Sequence, residues 1–551
     1  MTQISTVHDL RHLIRRFEER GQLYRFVEPV NKETELFPLF RVQQRGLPDA
    51  DRKVLLFENV VGAKGERYDM PCLVGAYGAS DEILLTGLEC ESYIEALERW
   101  HKARERPIDP VLVDRGPVQE NVLVGDDLKN RGLDIFPAPV EEVGFSGMLR
   151  TGVPMITRDP VTGVRNVGTY NAFFKARDRM QAAIGPNHDA MVHHWQAARQ
   201  RKEGVPIAIV IGCDVPTFMA GSAAVPYGVD ELAVAGGFMG SPIELVRCRT
   251  IPLEVPAYAE AVIEGIMSTE VVEPRLPFGE WPGYVHSDLT VRPIFQVTAI
   301  THRTGAIFTA VPVGMPPCDN TAAWGFAHAA ELFHRLKYEH ELPVEEVYYP
   351  DAGGGGAFCV IRVAESATHD EVRDAIRLLE QRGGSDPTKY TILVDHDIDV
   401  HDPDCLLWAL SFRTARLRDF TFVPTRAGGL DPSGSPAGSG HGTLRAEGDE
   451  PDFTRVIINA TRKWAYPPVA LPTRPYMERA LELWAQHTDL PKPHMRQPWY
   501  GYTLGYWSDE LQRFADMMIR GEYLEVGREM EARHEQVRDE MARRPAEPGA
   551  V

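Results

Sequence analysis

The apolar positions near the start of the chain recur at helical spacing. They predict an amphipathic helix over residues 7–21 that ends at a glycine. The residues that carry this pattern are Leu10, Leu13, Ile14, Phe17 and Gly21. Two short apolar runs, 54–61 and 70–78, then predict strands, and residues 91–106 predict a second helix. Residues 1–120 are therefore predicted to form an α/β domain.

The pattern changes between residues 121 and 330. Short β-branched runs follow one another, separated by Gly and Pro, and such spacing predicts a barrel or a sandwich. One helix candidate interrupts the strands at residues 230–240. This region is predicted to be a second domain.

Helix and strand signals alternate again in the third part of the chain. Helices are predicted at 329–340 and 369–383 and a strand at 391–400, so residues 331–500 are predicted to form an α/β domain. A Gly-, Ser- and Pro-rich stretch at 428–442 predicts a loop or lid. Residues 501–551 form the last predicted region, a charged helical tail for contacts between subunits. Its apolar stripe is Leu511, Phe514, Met517 and Met518.

Composition narrows the possible partners. A chain of 551 residues with 43% hydrophobic and 25% charged residues is typical of a globular protein with two or three domains. A net charge of -20 argues against affinity for nucleic acid or an anionic membrane. Seven cysteines without a CxxC pair, no signal segment and no apolar run long enough to span a membrane lead us to expect a cytoplasmic protein.

Three polar residues in the middle region could bind a metal. Asn166, His188 and Glu231 offer a carbonyl oxygen, an imidazole nitrogen and a carboxylate, a set that suits Mn²⁺, Fe²⁺ or Mg²⁺. They lie far apart in sequence. From the residues alone, scattered structural polar residues are the favoured interpretation.

A second candidate is the segment from Arg275 to Tyr284, which places Glu280 among Phe, Trp, Pro and Gly. A carboxyl group between apolar rings could have a raised pKa and donate a proton near neutral pH. Composition alone favours an exposed glutamate in a surface turn.

Other polar or glycine-rich segments are interpreted as structural. The acidic tract 395–402 is predicted to lie on a strand that splits its side chains over two faces, and Gly353–Gly356 is predicted to be a turn before a strand. His193 and His194 are interpreted as surface or packing residues. GxSxG, HExxH and Walker A motifs do not occur in the sequence.

Considered together, these segments resemble the UbiD family of prenylated-FMN-dependent decarboxylases and carboxylases over nearly the whole chain. The resemblance is carried, in order, by RNVGTYN, GPNH, YGVDELAVAGGFMGSPIE, PFGEWPGY, LVDHDIDV and VIINATRKW. It implies a multi-domain α/β (α+β) fold in which a central split β-barrel, similar to flavin reductases, is flanked by α/β domains and followed by a helical tail. It also implies reversible decarboxylation of an aromatic or α,β-unsaturated acid through a covalent adduct with prenylated FMN.

The resemblance also implies roles for individual residues. Asn166, His188 and Glu231 would bind the divalent metal that holds the cofactor phosphate. Main-chain carbonyls at Val167 and over 220–223 would bind K⁺, together with Glu231. The resemblance further assigns Arg455 to the cofactor and Glu280 to the proton donor. It does not associate the tract 395–402 with the metal.

The sequence departs from the family at two positions. Most relatives have an arginine five residues after the metal-binding asparagine and a glutamate five residues before the acid, whereas this chain has Asn171 and Arg275. We hypothesise that Arg275 pairs with Glu280 or orients the leaving carboxylate, and that Asn171 hydrogen-bonds to substrate or cofactor. Alternatively, Lys175 or Arg177 could replace the missing family arginine.

This departure favours an unusual aromatic acid or an aryl-coenzyme A thioester such as phthaloyl-CoA. The segment 319–326, with Trp324, could line the pocket. Expected partners are a flavin prenyltransferase that supplies the cofactor and further copies of the chain in a homodimer or homohexamer. Two other functions stay open: a non-catalytic flavin-binding subunit of a carboxylase assembly, and an oxidoreductase that uses ordinary FMN.

Overall fold

The structure is a computed structural model that describes residues 9–184, 188–286, 291–382, 387–415, 417–425, 430–433 and 453–536. The chain forms two compact units, residues 1–461 and residues 462–551. The first unit contains three larger sheets and a continuous hydrophobic core.

The first sheet has four strands in the order β1-β2-β3-β16. These are β1 (Leu23–Asn31), β2 (Val54–Val61), β3 (Cys72–Val74) and β16 (Phe308–Ala310). The accompanying helices are α1 (Leu10–Glu19), α2 (Leu36–Gly46), α3 (Asp81–Leu88) and α4 (Tyr93–Glu105). Helix α1 buries the four predicted apolar residues, and Gly21 follows it with φ +66°. Because β16 pairs with β3, the chain returns from the middle region to this sheet.

The central sheet closes into a barrel of six antiparallel strands. In barrel order they are β12 (Ala261–Pro274), β9 (Gly204–Ile211), β6 (Leu149–Arg158), β7 (Arg165–Ala176), β8 (Arg179–Ala183) and β15 (Val291–His302). Pairing of β12 with β15 closes the barrel, and β5 (Asn121–Val124) extends it along β15. The prediction of a central barrel flanked by α/β structure is confirmed.

Short helices and two small sheets are connected to the barrel strands. The helices are α5 (Asp126–Asn130), α6 (Asp189–Arg199), α7 (Val215–Ser222) and α8 (Glu231–Met239). A small sheet contains β4 (Val111–Leu112), β10 (Glu244–Arg247) and β11 (Glu254–Pro256), and a hairpin contains β13 (Phe278–Gly279) and β14 (Val285–His286). Helix α8 confirms the helix that was predicted at 230–240.

The third sheet has five strands in the order β17-β18-β19-β21-β20. These are β17 (Val344–Tyr348), β18 (Phe358–Val363), β19 (Tyr390–Val394), β20 (Phe420–Thr425) and β21 (Phe453–Ala460). Its helices are α9 (Asp319–Phe333), α10 (His369–Glu380) and α11 (Pro403–Arg413), and a π-helical turn, His334–Glu339, continues α9.

In the second unit, residues 462–536 are described and form three helices, α12 (Arg474–Trp484), α13 (Asp509–Ile519) and α14 (Tyr523–Glu531). Of the predicted apolar stripe, Met517 is buried, whereas Leu511 and Met518 are 43% and 55% exposed within the chain. Gly521 has φ +77° and separates α13 from α14, so the predicted helical tail contains two helices up to residue 531. The intersubunit role of this tail stays a prediction.

Two predicted boundaries were wrong. Helix α9 begins at Asp319, ten residues before the predicted start, because it is buried on nearly all sides and has no amphipathic period there. Strand β19 ends at Val394, so the tract 395–402 follows the strand instead of lying on it. Most of the predicted loop 428–442 lies outside the described residues. None of the helices in the described part of the chain is long and apolar enough to cross a membrane.

Candidate active site

Strand β7 supplies the first group of predicted site residues. Asn166 is buried opposite Thr157 of β6, and its Nδ2 donates to Thr157 Oγ1 at 3.3 Å. The amide of the next residue, Val167, donates to Oε2 of Glu231 at 3.0 Å. The strand therefore brings two of the three predicted metal ligands to one end of the barrel.

Glu231 is the first residue of α8, where free main-chain amides favour a carboxylate. It is only 5% exposed, and burial raises its pKa to about 8. A divalent cation beside this carboxylate would favour its ionised form. A buried carboxylate with a buried asparagine nearby is a donor set that fits the expected metal.

His188 lies immediately before α6 and is exposed. Its ring packs edge-on against Tyr170 of β7, with 5.1 Å between ring centroids, and the Tyr170 hydroxyl hydrogen-bonds to the side chain of Asn166. A methyl group at Gly168 would lie 2.1 Å from that hydroxyl, so only glycine lets Tyr170 take this position. Tyr170 thus joins the asparagine and the histidine. The three residues before His188, which belong to the quoted motif, lie outside the described residues.

The predicted potassium segment lies beside the same strand. Helix α7 ends at Ser222, whose hydroxyl is 3.1 Å from that of Thr169. A methyl group at Gly221 would lie 3.6 Å from the carbonyl oxygen of Val167. The main chain at Gly221 therefore lies close to the Val167 carbonyl, and the K⁺ site at these two segments stays a prediction.

Glu280 lies in the turn between β13 and β14. The turn is closed by main-chain hydrogen bonds from Glu280 to Tyr284 and from Gly283 to Glu280, at 3.0 and 2.8 Å. Burial raises the pKa of the carboxyl group, whereas Arg150, Arg275 and the amide of Trp281 oppose this shift. Glu280 is half-buried, so it is not the fully solvated glutamate that composition alone favours, and desolvation is the largest influence on its pKa.

Arg150 of β6 is a site residue that sequence reasoning missed. It is fully buried and donates to Glu141 Oε2 at 2.5 Å, to Glu142 Oε1 at 3.2 Å and to the Gly279 carbonyl at 2.8 Å. Of the charges near Glu280, Arg150 lowers its pKa most. The only sequence signal is a charged residue in an apolar strand, shortly after two consecutive glutamates.

Arg275 is buried without a counter-charge. It is 5% exposed, its Nε has no hydrogen-bond partner, and no carboxylate lies within ion-pair distance in the described chain. Its guanidinium packs over the ring of Phe278 at 4.5 Å. Burial, with Arg292 nearby, lowers the Arg275 pKa to about 10, whereas Glu280 opposes the shift. The hypothesised direct ion pair between Arg275 and Glu280 is therefore not formed; the two charges interact at longer range.

Asn171 lies four residues after Val167 on β7, opposite Gly152 of β6. Its side-chain oxygen is buried and has no hydrogen-bond partner. A methyl group at Gly152 would lie 3.5 Å from this oxygen and 3.8 Å from Nδ2 of Asn320. The two amide side chains therefore border one small space at the start of α9.

The other basic residues that were considered for the site bind to groups outside it. Lys175 donates to the Pro274 carbonyl at 3.0 Å, and Arg177 is an exposed residue that pairs with Asp134 at 2.6 Å. Arg455 of β21 is buried in the third sheet. It donates to the carbonyls of Thr388 and Arg382 at 2.9 and 2.7 Å.

Trp324 is in helix α9 and packs edge-on against Trp281, the residue after Glu280, with 5.3 Å between ring centroids. This contact connects the segment 319–326 with the turn that carries Glu280. Its predicted place in the substrate pocket stays a prediction.

The segments that were interpreted as structural have structural contacts. Asp395 and Asp397 both bind Arg413, with oxygen–nitrogen distances of 2.6 and 2.7 Å. Gly354 and Gly355 have φ of +66° and +69° in the turn before β18. His193 is fully buried and its Nδ1 is 2.9 Å from the hydroxyl of Thr157.

Two family models match successive parts of the chain. Residues 111–316 match UbiD, the 3-octaprenyl-4-hydroxybenzoate carboxy-lyase Rift-related domain. Residues 321–460 match UbiD_C, the 3-octaprenyl-4-hydroxybenzoate carboxy-lyase C-terminal domain. Together the matches span the barrel, with the candidate ligands and Glu280, and the third sheet.

Related proteins are similar over most of their length. An uncharacterized protein of Aquifex aeolicus (strain VF5) is 29% identical over 481 residues, which are 83% of this chain and 92% of that protein. An evolved dimeric form of the UbiD-class enzyme HmfF from Pelotomaculum thermopropionicum, in complex with prFMN, is 27% identical with a TM-score of 0.70; the match covers 85% of this chain and 97% of HmfF. Apo 3,4-dihydroxybenzoic acid decarboxylase (AroY) of Klebsiella pneumoniae is 26% identical with a TM-score of 0.72, over 83% of this chain and 95% of AroY.

Proposed function

Because this chain belongs to the UbiD family of carboxy-lyases, we propose that it catalyses the reversible, non-oxidative decarboxylation of an aromatic or α,β-unsaturated carboxylic acid with prenylated FMN. The observation that carries the proposal is the position of Glu280: a carboxyl group with a raised pKa near Arg150 and Arg275. A raised pKa favours the protonated carboxyl group, which is the form that can donate a proton.

Asn166, His188 and Glu231 would hold a divalent metal, Mn²⁺, Fe²⁺ or Mg²⁺, at the cofactor phosphate. The carbonyls at Val167 and 220–223, together with Glu231, would bind K⁺, and Arg455 would also contact the cofactor. In an acidic chain the two cations offset the charge of a bound phosphate. When bound, prenylated FMN would supply the electrophilic centre that activates the substrate for loss of CO₂.

Glu280 would return a proton to the carbon that loses CO₂, and in the reverse direction it would accept one. Glu280 lies in the turn between β13 and β14, and Arg150 fixes the adjacent Gly279 carbonyl by donating to it at 2.8 Å. The proton is thereby held at one defined place in the site.

Arg275 would bind the substrate carboxylate. A buried guanidinium without a counter-charge is costly, and an anionic ligand would supply the missing partner. Asn171, with its unpartnered oxygen, would accept a hydrogen bond from substrate or cofactor. An anion site formed by Arg275 supports an aromatic acid with a second polar or charged group, including an aryl-CoA such as phthaloyl-CoA.

The test is to produce the full chain together with a flavin prenyltransferase. The mass and visible spectrum of the released cofactor are then measured, together with the metal content and the subunit number of the protein. Prenylated FMN with one equivalent of a divalent metal, and release of CO₂ from members of a panel of aromatic acids and aryl-CoA esters, would support the proposal. A homodimer or homohexamer is expected.

Two results would contradict it. Ordinary FMN that is reduced by a nicotinamide would favour an oxidoreductase. Bound prenylated FMN without CO₂ release, and without hydrogen–deuterium exchange on any acid of the panel, would favour a non-catalytic subunit of a carboxylase assembly. The Glu280→Gln variant should still bind the cofactor but lose turnover. It therefore distinguishes a defect in cofactor binding from a defect in the chemical step.

A further inference from the structure

A second group of metal-ligating side chains lies away from the residues discussed so far. His101 and Glu105 are one helical turn apart at the end of α4, and His334 begins the π-helical turn after α9. One ligand atom of each residue lies within 4.8 Å of those of the other two. In the described chain, this is the one such group formed by His, Cys, Asp and Glu.

The geometry is close to that of a tetrahedral metal site. The two Nδ1 atoms of His101 and His334 are 3.0 Å apart. Two imidazole nitrogens bound to Zn²⁺ at about 2.0–2.1 Å lie about 3.3 Å apart at a tetrahedral angle. A movement of a few tenths of an ångström would therefore admit the cation between the two Nδ1 atoms. Oε1 of Glu105 lies 4.0 Å from Nε2 of His334, so the exposed glutamate would turn towards the cation to complete a set of three protein ligands.

The surroundings fix the histidines on one side and leave the site open on the other. The ring of His101 stacks on Tyr338 with 3.4 Å between centroids and an interplanar angle of 3°. The His334 side chain is 6% exposed, whereas the Glu105 side chain is 60% exposed. A cation could thus enter from solvent and keep a water molecule as its fourth ligand.

The local charges also suit a cation. Lys337 is paired with Glu98 at 2.7 Å and Arg104 with Glu331 at 3.0 Å, so these two basic residues have other carboxylate partners. The carboxylate of Glu339 lies 3.5 Å from Nε2 of His334. It can accept a hydrogen bond from the N–H of that nitrogen and orient the ring, as carboxylates do around metal-bound histidines.

π-helical turns are rare and occur frequently at functional sites. Here His334 is the first residue of such a turn, directly after the end of α9.

We propose that His101, Glu105 and His334 form a binding site for a divalent cation of the Zn²⁺ class, which joins the end of α4 to the π-helical turn after α9. This site is separate from Asn166, His188 and Glu231, and it does not depend on the proposed decarboxylase activity. It has three protein ligands and one open position, and its role is to stabilise the contact between these two segments.

The test is a titration of the metal-free full chain with Zn²⁺ and with Co²⁺, followed by metal analysis and the visible spectrum of the Co²⁺ form. The experiment uses a His188→Ala background so that the first candidate site does not contribute. One equivalent of Zn²⁺ and a tetrahedral Co²⁺ spectrum are expected. Glu105→Gln should lower Zn²⁺ affinity at least about 10-fold, and His334→Ala should abolish binding.

Glu105→Gln is the decisive variant because its exposed side chain can change without loss of the fold. Glu91→Gln, two residues before the start of α4, is the matched control and should bind Zn²⁺ normally. The proposal would be overturned if Glu105→Gln bound Zn²⁺ as tightly as Glu91→Gln, or if the His188→Ala chain bound none. In that case the two histidines form a hydrogen-bonded pair only.

Discussion

Nη2 of Arg150 lies 2.5 Å from Oε2 of Glu141, and both side chains are almost fully buried. Burial raises the Glu141 pKa to about 7, although Arg150 opposes the shift. The arginine also binds Glu142 and the carbonyls of Gly279 and Val313. This group connects β6 of the barrel to the turn that carries Glu280.

Arg150→Met should destabilise the protein strongly, because it leaves the Glu141 carboxylate buried without its cation. The expected loss is about 3–5 kcal/mol in the free energy of unfolding, measured with urea. Adding Glu141→Leu to Arg150→Met should recover part of this loss, since the stranded carboxylate is then removed. Equal stability of the Arg150→Met single variant and the wild type would show that the pair contributes little.

Arg275→Met should have the opposite effect on stability. Arg275 is buried like Arg150 but has no carboxylate partner, so removal of its charge should leave the unfolding temperature unchanged or raise it. The KM for an acid substrate should rise about 10- to 100-fold, the expected effect of losing a hydrogen bond to a charged group. A fall in stability similar to that of Arg150→Met, with KM unchanged, would contradict a substrate-binding role.

The contrast between Arg150 and Arg275 also shows where sequence reasoning succeeds. Arg275 stands at a position that the family resemblance singles out, so it could be chosen before the structure was known. Arg150 occurs in an ordinary apolar strand, and its partners lie eight and nine residues earlier in the chain and in later segments. Only the closed barrel brings these groups together, and no local pattern encodes that closure.

The same distinction applies to the fold. The barrel strands were predictable because alternating β-branched residues produce a local signal. The start of α9 was not predictable, because a helix that is buried on nearly all sides lacks a polar face. In addition, the carboxylate of Asp319, the first residue of this helix, accepts hydrogen bonds from the main-chain amides of Gly75 and Tyr77. The amide contacts that stabilise this start come from residues more than 240 positions away.

Glu280→Gln should abolish proton return and therefore turnover, while Glu280→Asp should retain a fraction of the activity. Donation requires the protonated carboxyl group, so the decarboxylation rate of the wild type should fall as pH rises through the raised pKa. Because Arg275 lowers that pKa, the alkaline limb in Arg275→Met should move to higher pH. The pH profile of kcat measures both effects, and an identical profile in wild type and Arg275→Met would remove Glu280 from this role.

His401 should make the stability of the fold depend on pH. Its ring nitrogens lie 3.3 Å from Asp81 and 2.8 Å from Glu346. Burial lowers the His401 pKa, but these hydrogen bonds and charges outweigh it and raise the pKa to about 10. The rings of Tyr93 and Tyr348 enclose the same group.

A folded-state pKa above the unfolded value of about 6.5 means that this stabilisation is complete below pH 6.5 and is lost as pH rises through about 10. The stability difference between wild type and His401→Gln should therefore be largest near pH 6, at most roughly 5 kcal/mol, and should shrink towards pH 10. Urea unfolding across this range measures it. His369→Gln, an exposed histidine at the start of α10, is the control and should show no such trend. A constant difference for His401→Gln would mean that its contribution comes from packing and not from charge.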